Sequence, residues 1–74
     1  KGGVVRDKKV HAQVIQNVID SAKNLDYTVK GLTYSSIKGH SGNIEYLLWI
    51  TTENEDTPEP SITAIVNEAF EKLA

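Results

Sequence analysis

The chain has 74 residues, with 8 basic and 10 acidic side chains, a net charge of −2 and no cysteine. A domain this short buries only about 60% of the surface that its unfolded chain exposes, and without cysteine neither disulfides nor a thiolate metal site can reinforce it. The acidic balance argues against a self-sufficient nucleic-acid-binding domain, which usually carries a basic surplus, and no apolar run approaches the ~20 residues of a membrane span.

The opening residues, Lys1 to Arg6, read as a loop. They contain neither an initiator Met nor the apolar core of a signal peptide. The chain is therefore expected to be part of a longer protein, and it fits the cytoplasm. Asp7 can cap a helix by accepting a backbone N–H of the first turn. Val10, Val14, Ile15, Val18, Ile19, Ala22 and Leu25 then follow at helical spacing. They predict an amphipathic helix over about Lys8 to Asn24. Lys8 and Lys9 sit poorly with the positive end of its dipole.

Tyr27, Thr28, Val29, Leu32, Thr33 and Tyr34 predict a strand over about 27–34. Gly31 within it suggests a bulge or a close backbone approach. Ser35 to Gly42 is a Ser/Gly-rich loop. A second strand is expected over about 43–52. Ile44, Tyr46, Leu48 and Ile50 alternate there with Glu45, Leu47 and Trp49, so both faces are apolar except at Glu45. Such a strand belongs inside a sheet covered on both sides, and Trp49 is expected in the core. Residues 53–59 form an acidic linker. A last helix, over 60–74, is expected to begin near Pro60, with Ile62, Ile65, Val66, Ala69, Phe70 and Leu73 as its apolar stripe. The loop between the strands is too short for a parallel crossover, so the strands pair antiparallel.

Three stretches together resemble one family. Lys1-Gly2-Gly3-Val4-Val5-Arg6-Asp7 resembles its Gly-Gly-Val-Val-x-Asp loop. Gly31-Leu32-Thr33-Tyr34-Ser35-Ser36-Ile37-Lys38-Gly39 resembles its penultimate strand and turn. Gly42-Asn43-Ile44-Glu45-Tyr46-Leu47-Leu48 resembles the start of its last strand. The family is that of the haemolysin-A-like (TlyA-type) ribosomal RNA 2'-O-methyltransferases, related to the FtsJ-type enzymes. The resemblance runs to residue 52 and corresponds to about the last quarter of the family's length. Ser36 and His40-Ser41 depart from it, where the family often has Pro and Pro-Glu.

The resemblance implies an α/β fold class: a helix-strand-strand-helix fragment with an antiparallel strand pair, the C-terminal part of a Rossmann-like S-adenosylmethionine-dependent methyltransferase. Residues 1–52 would close the methyltransferase domain, 53–59 the linker and 60–74 the C-terminal helix. It further implies an N-terminal RNA-binding domain, S-adenosylmethionine as cofactor and ribosomal RNA as partner. The cofactor loop would lie outside this segment, which alone is expected to be inactive. Of the Lys-Asp-Lys-Glu set that FtsJ-type enzymes place around the ribose hydroxyl, only the glutamate maps here, to Glu45. Read without the family, Glu45 is first a solvated carboxylate at a strand end, although its charge stands alone among apolar neighbours.

Arg6 and Lys38 are candidate RNA contacts, with Lys1 and His40 behind them, since loop cations often bind phosphate. His11 and His40 lack partners at metal-ligand spacing, so no metal site is expected. The serines near His40 lack the Gly-x-Ser-x-Gly elbow of a hydrolase. Neither helix has the basic polar face of a membrane binder. The competing reading is a free-standing small α/β interaction module, and exposed strand edges are expected to favour self-association.

Overall fold

The computed structural model describes residues 4–39 and 41–73. The order is α1 (Lys8–Asn24), β1 (Thr28–Tyr34), β2 (Tyr46–Thr51) and α2 (Ile62–Leu73). The expected helix-strand-strand-helix arrangement is thus observed. Asp7 caps α1 as its chemistry suggests: the carboxylate accepts the Lys9 N–H at 2.9 Å. The helix ends in a Schellman motif. Asp26 takes a left-handed conformation at φ 67°, Tyr27 N–H reaches back to Ala22 O, and Asp26 N–H to Lys23 O. This turn delivers the chain directly into β1.

The strands pair antiparallel, from Thr28 opposite Thr51 to Tyr34 opposite Tyr46. The register breaks once: Val29 faces Ile50 and Gly31 faces Trp49, leaving Lys30 as an extra residue. The bulge suggested by Gly31 is therefore present. It lets Val29 and Leu32, three residues apart, both point into the core.

Both helices lie on one face of the two-stranded sheet and touch each other. Ile15, Ile19, Val29, Leu32 and Val66 form the core, flanked by Tyr46, Leu48, Ile62, Ile65 and Phe70. Ile19 and Val66 are almost fully enclosed. Removing three carbons at Ile19 leaves a cavity costing about 2–5 kcal/mol, a large share of what so small a core supplies.

Four expectations are corrected. The second strand is shorter than 43–52, because Asn43 is used to close the preceding turn: its carbonyl accepts Gly39 N–H at 2.7 Å and its side chain accepts Val5 N–H at 2.8 Å. Trp49 is not in the core but 54% exposed, beside Leu47 at 51%, because the helices cover only the opposite face. The broad apolar stripe of α1 divides into two ridges. His11, Ile15, Ile19 and Ala22 are buried, whereas Val10, Val14, Val18 and Leu25 are exposed. The helix α2 begins two residues after Pro60, with Ser61 as its cap: the Ser61 Oγ accepts Ala64 N–H at 3.2 Å.

Residues 54–61 have no regular structure and are tied back by charge, Glu55 to Lys30 at 3.3 Å and Glu59 to Lys23. Lys8 lies over the Phe70 ring, 5.7 Å from its centre, which places its charge against an aromatic face.

Candidate functional site

The loop before α1, the turn between the strands and the start of β2 converge at one end of the sheet. The turn is held by Gly42 N–H to Gly39 O at 2.9 Å, and its two arms by Ser35 N–H to Glu45 O at 2.8 Å. Gly42 sits at φ 87°, a conformation that glycine adopts at little cost. A β-carbon there would also lie 3.3 Å from Val4 Cγ2. The N-terminal loop therefore rests directly on the turn.

Glu45 lies one residue before β2 and is exposed. Its side chain folds over Gly39, and its carboxylate occupies the space that a β-carbon on Gly39 would need. Arg6 and Lys38 line one cleft of about 370 Å3, with Val5, Gly42, Ile44 and Phe70 around them. Two cations drawn from segments 32 residues apart thus share a concave wall, an arrangement suited to phosphate. A larger depression, about 830 Å3, lies beside α2 and is lined by Lys8, Glu68, Glu71 and Lys72 among others. Its charges are mixed and its lining shallow, so the smaller cleft is the better candidate. Lys1 and His40 lie outside the described residues.

His11 is the buried polar side chain of this end of the fold. Its Nε2 lies 2.9 Å from Val5 O and its Nδ1 2.9 Å from the Tyr46 hydroxyl. Its ring meets those of Tyr46 and Phe70 edge-on, at 5.7 and 4.9 Å between centres. Burial raises the Tyr46 phenol above its ordinary pKa. The Tyr34 phenol is also raised, by partial desolvation and then by the Glu68 carboxylate that accepts its hydrogen bond at 3.0 Å. Sequence reasoning weighed His11 only as a metal ligand. The available signal was its place four residues before Ile15, on the ridge that faces the core.

S-adenosylmethionine does not fit the described residues. Gly39 and Gly42 join two strands and do not lie between a strand and a helix N-terminus, and the space over Gly39 is filled by Glu45. Among the described residues no three potential ligands are grouped as for a metal ion, and no helix is long and apolar enough to cross a membrane.

This α/β piece recurs in solved structures. A protein from Lactococcus lactis described as a hemolysin superposes with a TM-score of 0.82 at 34% identity, over 92% of this chain and 34% of that one. No protein-family model matches the chain. In sequence it is 41% identical over 78 residues to a Bacillus subtilis protein named for rRNA methylation, YqxC, covering 99% of this chain and 28% of the relative. It is 37% identical over 54 residues to the 16S/23S rRNA (cytidine-2'-O)-methyltransferase TlyA of Mycobacterium tuberculosis, covering 73% of this chain and 20% of that one. The chain belongs to the haemolysin-A-like, TlyA-type family. It spans about a quarter of the length of the curated relatives it matches.

Proposed function

We propose that this chain is the C-terminal segment of an S-adenosylmethionine-dependent ribosomal RNA ribose 2'-O-methyltransferase that works in the cytoplasm. The observation that carries the reading is the 41% identity across 99% of the chain to a relative named for rRNA methylation. The cofactor is held by residues beyond this segment, so the segment alone is inactive and does not bind S-adenosylmethionine. Arg6 and Lys38 take RNA phosphate in their shared cleft. Glu45 is the catalytic carboxylate of this segment. A ribose hydroxyl ionises far above neutral pH, so its reaction gains from a positioned base and from fixed geometry. A carboxylate at the sheet end can hold an ammonium group in place and raise its proton affinity.

The test is Glu45→Gln in the full-length protein under single-turnover conditions, where product release does not hide the chemical step. The expected rate falls ~100-fold or more while folding and cofactor affinity stay near wild type. An unchanged rate removes Glu45 from the mechanism. Calorimetry of the 74-residue chain with S-adenosylmethionine should give no heat of binding; a micromolar site would contradict the assignment of the cofactor to other residues.

A second reading, a self-associating interaction module, is favoured by the bare sheet face at Leu47 and Trp49. The two readings separate on whether the full-length protein transfers methyl groups to rRNA.

A further inference from the structure

We infer that His11 is a positioning residue, a bridge that fixes the segment bearing Arg6 relative to the strand start bearing Glu45; the inference rests on the methyltransferase reading. The Val5 carbonyl can only accept a hydrogen bond, so His11 Nε2 must carry a proton. In the neutral ring Nδ1 is then bare and accepts the Tyr46 O–H. Both ring nitrogens are satisfied, and each partner adjoins a candidate site residue: Val5 precedes Arg6, and Tyr46 follows Glu45.

The clamp on Val5 is double. Its carbonyl is held by His11, and its N–H by Asn43 Oδ1 at 2.8 Å. One residue of the loop is thereby fixed both to α1 and to the turn. Helix, loop and strand meet through a single imidazole, which is 8% exposed and confined by the rings of Tyr46 and Phe70. An apolar residue at this position could occupy the space but would make neither hydrogen bond. What it could not do is set the spacing between Arg6 and Glu45, and reactions that depend on aligned groups lose rate steeply with small displacements.

The experiment uses the full-length protein with rRNA as substrate and three variants. His11→Phe keeps an aromatic ring but loses both bonds. Tyr46→Phe loses one. His11→Gln retains a donor and an acceptor and serves as the conservative rescue. At temperatures well below unfolding, His11→Phe and Tyr46→Phe are expected to lower the single-turnover rate about tenfold or more. The double variant should be little worse than either single, since residues in one network are not additive, and His11→Gln should recover most of the loss. Spectra of isotope-labelled histidine should report one Nε2–H tautomer in the wild type.

Rates per folded molecule within about threefold of wild type, or full additivity, overturn the bridge as a positioning device. A mixed or Nδ1–H tautomer overturns its geometry, and that measurement stands even where His11→Phe fails to fold. A wild type that transfers no methyl group defeats the methyltransferase reading itself, whereas an active wild type with indifferent variants defeats only this inference.

Discussion

At the scale of single residues, Gly39 has the sharpest consequence. A methyl group there would enter the space held by the Glu45 side chain. The Glu45 side chain is flexible and exposed, so it can move aside at little cost in stability. Gly39→Ala is therefore expected to shift folding stability by less than about 1 kcal/mol while displacing the carboxylate and lowering methyl transfer in the full-length protein. Equal activity in wild type and variant, measured beside their unfolding curves, would mean that the position of Glu45 does not matter. In the sequence, Glu45 stands out through the motif that resembles the family's last strand, and Arg6 only as a loop cation. Their arrangement is not legible there. It depends on contacts such as Val5 to Asn43 and His11 to Tyr46, which join residues 38 and 35 positions apart and leave no local pattern.

Among the elements, the helices were the most legible because their apolar periods and caps are local. The limits of α1 follow directly from Asp7 and from the turn after Asn24. The second strand starts later than alternation predicts because Asn43 has strand-like neighbours but uses its carbonyl and side chain to hold the turn and the N-terminal loop. Trp49 was misjudged because alternation predicts two apolar faces without saying what covers each of them. The end of α1 offers a quantitative test. Asp26 holds a left-handed conformation that suits glycine better. Asp26→Gly is expected to stabilise the chain by about 0.5–1 kcal/mol, net of the entropy that glycine adds to the unfolded state. Chemical denaturation would read the shift in midpoint, and a loss of stability would show that the Asp26 side chain contributes more than its backbone costs.

At the scale of the whole molecule, two groups of apolar side chains stand out as bare among the described residues. One is the valine ridge of α1, Val10, Val14 and Val18, and the other is the sheet face at Leu47 and Trp49. Monomeric proteins rarely leave contiguous patches of more than a few hundred Å2 uncovered, and strand edges add unpaired backbone groups. The isolated chain is therefore expected to self-associate as concentration rises. Trp49→Lys should shift it toward monomer in sedimentation velocity without unfolding it, because the residue lies outside the core. A monomer at every concentration would show that these patches are tolerated as they stand.

The extra residue at Lys30 makes one stretch of the chain forgiving of a deletion. Val29 and Gly31 already oppose consecutive residues, Ile50 and Trp49. Excising Lys30 would join them into an unbroken ladder in which every side chain keeps its side of the sheet. The loss would be the ion pair to Glu55 and the local twist that a bulge imparts. Excising Thr33 instead would reverse the facing of everything before it and turn Val29 and Leu32 away from the helices. Two variants of equal length and nearly equal composition should therefore behave oppositely on heating, one melting cooperatively and the other lacking a transition. Within this strand a codon can be lost at the bulge but not at Thr33.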